Sequence, residues 1–315
     1  MRDIFHSERF QGNLNRKNYF EGWYFKMVSS NGNHVTAVIP GVSLSEESPH
    51  AFIQIISTDM QKTLYFTFPL DQFSYSRKDF HIQIANSSFS SDHLHLDISQ
   101  DGKTITGDLS FIGHALLPKS LLNPSIMGPF AYLPKMECSH GVVSMRHQVL
   151  GSLSIGGKKS SFDDGTGYIE KDWGTSFPSS WVWLHTNTAG DSDFSFLLSY
   201  ATIPVTKKRG FNGLICFLMT DNGLYRFATY NRSKVSRFEV DKERVAITLK
   251  RKNLILDVDA VCSSSGILQS PVKGNMERAI TESITSIISL SLKNRDGDTL
   301  FSVKGSSGGY EVSGF

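Results

Sequence analysis

Short runs in which polar and apolar residues alternate recur along the whole chain, and they restrict its fold more than any other feature. AFIQIIS, LYFTF, FHIQIA, HLHLDIS, FSFLLSY and VAITLK are separated by turn signals such as Asn31-Gly32, Asp101-Gly102, Asp221-Asn222-Gly223 and Asp296-Gly297-Asp298. A period of two places alternate side chains on opposite faces of a strand, and Asn-Gly and Asp-Gly pairs suit the tight turns that join antiparallel neighbours. The pattern predicts an all-β protein. One stretch departs from it: residues 118–134 carry prolines at 118, 124, 129 and 134. Each removes a backbone donor, so a crossing loop or lid is expected there and not an interior helix.

The chain also matches itself. Trp23 in WYFK answers to Trp183 in WLHT, Ile39-Pro40 to Ile203-Pro204, Leu64-Tyr65 to Leu224-Tyr225, Met136-Glu137 to Met276-Glu277, and Gly167-Tyr168 to Gly309-Tyr310. The order is kept while the offset drifts from roughly 160 to roughly 140, as loop insertions and deletions produce. Two domains are expected, residues 1–174 and 175–315, related by an internal repeat. About eight strands in each half suit a closed or nearly closed antiparallel barrel that encloses an apolar ligand, with a two-sheet sandwich as the alternative.

Charge and cysteines exclude several classes. Thirty-two basic and 30 acidic residues leave a net charge of +2, so no global field favours nucleic acid, and Lys207-Lys208-Arg209 and Lys250-Arg251-Lys252 read as solvated turns. Cys138, Cys216 and Cys262 are odd in number and far apart, which argues against a disulfide framework or a cysteine zinc site. MRDIFHSERF lacks the apolar core of a signal peptide, and no run reaches the roughly 20 apolar residues that span a bilayer. A cytoplasmic protein is expected, with membrane-peripheral contact compatible.

Candidate chemistry concentrates in GYIEKDWG, residues 167–174. On a strand, Tyr168, Glu170 and Asp172 share one face and Ile169, Lys171 and Trp173 the other. Two carboxylates facing the same way, if buried, resist ionising together, and a protonated carboxyl is a general acid; a salt-bridge cluster is the plainer reading of the same residues. Trp173, Trp181 and Trp183 lie close in sequence, and Trp23 is the counterpart of Trp183. Core packing accounts for them, as does an aromatic pocket whose π-faces stabilise a cation. YFEGWYF sets Glu21 beside Trp23. His140 and His147, an odd number of residues apart, point to opposite faces of a regular strand, and His93 with His95 reads as a solvated strand face. Gly305 to Gly309 matches GxSxG but lacks the following helix of a nucleophile elbow, and Gly165-Thr166-Gly167 lacks the third glycine of a dinucleotide site.

YFEGWYFK at 19–26, PSIMGPFAYLPKMECSHGVVSM at 124–145, GYIEKDWGTSFPSSWVWLHTN at 167–187 and FATY at 227–230 resemble the tocopherol cyclase family, in order and over nearly the whole chain. The resemblance implies two lipocalin-like antiparallel β-barrels, related to the hydroxyneurosporene synthase and AttH-like proteins. It implies cofactor-independent, acid-catalysed cyclisation or hydration of a prenylated quinol or other isoprenoid, by protonation of an alkene and capture of the tertiary cation by oxygen. In plant members the position matching Asp172 is often Asn, which leaves Glu170 as the acid and gives Asp172 a positioning role. The chain reaches the first motif without a transit peptide, which suggests a bacterial-type member. The expectations are therefore Glu170 and Asp172 as catalytic residues, Trp23, Glu21, Trp173, Trp183 and His140 at a prenylated or polyene substrate, Lys171 in an ion pair, and no metal or cofactor. A non-catalytic carrier of a hydrophobic small molecule is the alternative.

Overall fold

The structure is a computed structural model in which residues 3–134, 136–190, 192–206 and 209–315 are described. It is all β, apart from short 3-10 turns at Leu70–Gln72, Gly128–Tyr132 and Thr229–Asn231. Among the described residues no helix is long and apolar enough to cross a membrane.

Strands β1 (Tyr19–Val28), β2 (Val35–Leu44), β3 (His50–Ser57), β4 (Leu64–Pro69), β5 (Phe73–Tyr75), β6 (His81–Ile84), β7 (Ser87–Ser90), β8 (His93–Gln100), β9 (Lys103–Ile112), β10 (Cys138–Ile155), β11 (Lys158–Ser161) and β12 (Gly165–Gly174) form one antiparallel sheet. Its order is β4-β3-β2-β1-β12-β10-β9-β8-β7-β6-β5, with β11 on β10. The second sheet comprises β13 (Trp181–Thr186), β14 (Phe194–Thr206), β15 (Arg209–Thr220), β16 (Gly223–Ala228), β17 (Lys234–Val240), β18 (Arg244–Arg251), β19 (Leu254–Val261), β20 (Ser265–Val272), β21 (Asn275–Asn294) and β22 (Thr299–Ser313). Its order is β16-β15-β14-β13-β22-β21-β19-β18-β17, with β20 on β21.

Among the described residues neither sheet closes by hydrogen bonding. The first ends at β4 and β5 and the second at β16 and β17, where a closed or nearly closed barrel is expected from the strand count. In each case a 3-10 turn joins the two end strands. Pro69, the last residue of β4, has no N–H to give a neighbour, and β5 is only 3 residues long. By Cα proximity the chain forms two compact units, Met1–Phe177 with Ile267–Ala279, and Pro178–Gly266 with Ile280–Phe315.

The core of the first unit follows from the alternation. Leu94, Leu96 and Ile98 of β8 and Ile105, Leu109 and Phe111 of β9 point inward with Trp23, Phe25, Phe89, Ile169 and Trp173. Each fully buried aromatic or branched side chain contributes roughly 2–3 kcal/mol of transfer free energy. The second unit has a separate core that includes Val182, Leu184, Leu198, Leu218 and Tyr310. Strand β1 differs from the half-exposed strands, because all of its residues but Gly22 are buried. In the first unit the hairpin tip of residues 267–279 docks through side chains: Gln54 Nε2 donates to Gln269 O at 3.0 Å, and Gln269 N donates back to Gln54 Oε1 at 2.8 Å. Residues 118–134, where a loop is expected, hold one 3-10 turn and no strand or α-helix. The three cysteines are free thiols.

Candidate active site

Three adjacent strands build the site, and their register decides what meets. On β1 and β12, Glu21 pairs with Trp173, Trp23 with Lys171 and Phe25 with Ile169, while Gly22 pairs with Asp172, Tyr24 with Glu170 and Lys26 with Tyr168. Directly opposed residues share a face. The first set therefore faces the core, and the second lies on the off-core face, the side of the sheet away from that aromatic cluster. On the other flank of β12, His140 of β10 pairs with Asp172 and Val142 with Glu170. Two bulges then intervene before His147, which pairs with Gly167. Two extra residues restore parity, so His140 lies off-core and His147 on the core side, where its ring centroid is 4.7 Å from that of Phe111.

The off-core face carries a connected polar array. Tyr168 donates its hydroxyl proton to Glu170 Oε2 at 2.6 Å. His140 spans the two carboxylates, with Nδ1 2.8 Å from Asp172 Oδ1 and Nε2 3.4 Å from Glu170 Oε2. Glu170 is 5% exposed, whereas the Asp172 side chain keeps 24% of its surface. Burial, and after it the charge of Glu170, pushes the Tyr168 phenol well above its ordinary range. Burial, followed by the Asp172 charge, does the same for the Cys138 thiol, whose sulfur is 3.9 Å from Asp172 Oδ1. Both groups remain protonated donors at neutral pH. Met127, from the proline-rich loop, accepts the backbone N–H of His140 at 3.3 Å and so sets the loop against the array.

Donor atoms of His140, Glu170 and Asp172 lie within 4.8 Å of one another, and among the described residues these could hold a metal ion. In the geometry seen, His140 Nδ1 stands at hydrogen-bond distance from Asp172 and Nε2 at ion-pair distance from Glu170.

The core side of β12 holds a different constellation. Lys171 is ion-paired with Glu21, and neither side chain is exposed. The Lys171 ammonium also donates to Ser7 O at 2.9 Å and to Arg9 O, and it sits 4.7 and 4.8 Å from the ring centroids of Trp23 and Trp173. Glu21 accepts the Tyr19 hydroxyl and the Gln11 backbone N–H, and Trp23 Nε1 donates to Glu8 O at 2.8 Å. Pair and rings thus tie the N-terminal segment over the core.

Of the residues singled out in the sequence, the structure brings Glu170, Asp172 and His140 together. It places Glu21, Trp23 and Trp173 across the sheet from them. Trp183 belongs to the second unit, on the face of β13 away from that unit's core, opposite Glu311 and stacked on His185 with centroids 6.2 Å apart. Trp23 and Trp183, matched in the self-alignment, therefore face in opposite senses relative to their own cores. Tyr168, grouped with Glu170 by its i, i+2 spacing, supplies a hydroxyl donor, and Cys138, at the same spacing from His140, places a thiol beside Asp172. His93 and His95 are a partly exposed pair, both beside the Asp108 carboxylate.

A family model described as tocopherol cyclase-like matches residues 119–314. No curated protein matches the sequence. Among solved structures, CghA with Sch210972 aligns with a TM-score of 0.60 at 12% identity, covering 94% of this chain and 88% of that one. A candidate AttH from Nitrosomonas europaea aligns at 0.54 and 11% identity, covering 94% and 92%. Kievitone hydratase from Nectria haematococca aligns at 0.53 and 10% identity, covering 93% and 88%. At these identities the likeness is one of fold.

Proposed function

The chain belongs to the tocopherol cyclase-like family, and from that premise we propose that it catalyses cofactor-independent, acid-initiated cyclisation or hydration of a prenylated or polyene lipid, with Glu170 as the acid. The observation that carries the reading is the Glu170 carboxyl, nearly buried, held by Tyr168 and linked through His140 to Asp172. Because Tyr168 donates to Oε2, the transferable proton belongs on Oε1. It adds to one alkene carbon and leaves a tertiary cation on the other. Water or an internal hydroxyl then forms the C–O bond and loses its proton to the Glu170 carboxylate. The cycle closes with no change of oxidation state. His140 and Asp172 hold the array in register and tune its charge.

The shared strand order of the two sheets supports reading residues 1–174 and 175–315 as two copies of a lipocalin-like barrel. Exposed Leu116, Leu121 and Leu122 support a membrane-peripheral setting for a lipid substrate. Two of the solved neighbours, one a hydratase and one bound to a small molecule, agree with this chemistry.

The test starts with mass spectrometry of lipid that copurifies with the protein, followed by turnover of that lipid and its isoprenoid analogues. Glu170→Gln is expected to keep the fold and the copurified lipid and to abolish conversion. Undiminished turnover would remove Glu170 from the mechanism. Copurified lipid that the unaltered protein never converts would favour the carrier reading.

A further inference from the structure

The array on the off-core face leaves unused a cavity of about 630 Å³ in the first unit, within the range of small-molecule sites. We infer that it binds an amphipathic anion, an apolar chain or ring ending in a carboxylate or phosphate. The cavity lies on the core side of β12, because Trp173 and Ser139 line it and these alternate with Asp172 and His140 along their strands.

Its walls supply both halves of such a ligand's requirements. The apolar part is aromatic: Phe10, Tyr19, Tyr75 and Trp173 line it, and Phe10 packs on Tyr75 with centroids 4.3 Å apart. The polar part is cationic: Arg9, Arg16 and Arg77 stand against a single lining carboxylate, Asp3, which is already 3.3 Å from Arg9 Nη1. Arg16 and Arg77 have no carboxylate partner among the described residues. The Arg16 guanidinium lies 4.3 Å from the Tyr19 ring centroid and that of Arg77 5.6 Å from Tyr75. Arg9 Nε is buried and has no acceptor among the described residues.

A buried N–H without an acceptor is costly, and planar guanidinium forks match the oxygens of carboxylate and phosphate better than any neutral group. A cationic ligand meets repulsion, and a neutral lipid gains no charge-assisted bond from the three guanidinium groups. Rings that already carry guanidinium groups over their faces offer their edges and remaining surface to an apolar body. The site does not depend on the proposed chemistry at Glu170, which lies across the sheet.

Calorimetric titration of the full chain with dodecanoate, dodecyl phosphate and dodecanol, each below its aggregation concentration, tests the inference. At least one of the two anions is expected to bind about tenfold or more tightly than the alcohol, and the tighter of the two identifies the headgroup. The exposed pair Arg16→Gln/Arg77→Gln is expected to erase that preference while leaving dodecanol affinity and the melting temperature unchanged. Glu170→Gln is expected to leave all three affinities unaltered, which separates this site from the catalytic proposal. Equal affinity for the three ligands, absence of binding, or an anion preference that survives loss of both arginines would overturn it.

Discussion

Glu21 and Lys171 form an ion pair whose two side chains have no exposed surface, roofed by the N-terminal segment and flanked by two indole rings. Such a pair adds little net stability, because desolvation offsets its attraction, but removing one partner strands the other charge in the core. Lys171→Met is therefore expected to destabilise the protein by about 3–5 kcal/mol, and the double variant Glu21→Gln/Lys171→Met to recover much of that loss. Urea denaturation measures both. A single variant costing less than about 1 kcal/mol would place the pair among weakly coupled surface bridges.

Tyr168 and Asp172 act on Glu170 from two sides, directly and through His140. Tyr168→Phe deletes a donor to Oε2 without changing shape, and turnover is expected to fall by roughly 10- to 100-fold, mainly in kcat. Asp172→Asn keeps a hydrogen-bonding group for His140 and is expected to cost less than Glu170→Gln. Steady-state kinetics decides the ranking. Equal loss in all three variants, with lowered melting temperatures, would point to a shared structural role.

His147 is expected to make the fold acid-sensitive. Burial, and secondarily His114, lower its pKa from 6.5 to about 3. The unfolded chain then takes up a proton below pH 6.5 while the folded chain does not, so stability is fully present above that pH and declines as pH falls toward 3. The expected loss from this group between pH 7 and pH 5 is about 2 kcal/mol. His147→Gln should flatten the dependence by that amount in denaturation curves at the two pH values. An unchanged slope would assign the sensitivity to other groups.

Gly167 is required by space and not by backbone conformation. A methyl group there would stand 2.1 Å from His147 Nε2, and the ring cannot move freely because its Nδ1 is 3.0 Å from the buried Ser144 hydroxyl. Gly167→Ala is expected to lower stability by about 1–3 kcal/mol, and His147→Ala in the same chain to relieve part of the clash. Thermal melting of the two variants separates steric conflict from other effects. No relief in the double variant would refute the steric account.

Much of the site was legible from spacing. The alternation in GYIEKDWG correctly grouped Tyr168, Glu170 and Asp172 against Ile169, Lys171 and Trp173, and His140 was rightly separated from His147 even though two bulges lie between them. Glu21, Trp23 and Trp173, expected at one substrate with Glu170 and Asp172, lie on the other face of the sheet from them. Trp23 pairs across the strands with Lys171, not with Glu170. The arginine-lined cavity left no signal, since Arg9 and Arg16 of the N-terminal segment meet Arg77, roughly 60 residues further on, only in the folded chain.

The amino-acid sequence by itself determined the strands, their turns and the two facial sets of each strand, because a period of two is a local property of an extended backbone. Only the tertiary structure decided which face is core, which acid meets the histidine and which meets the lysine. With β1 and β12 buried almost throughout, hydropathy cannot distinguish their faces. The partners across each strand are fixed by hydrogen-bond register between segments far apart in the chain.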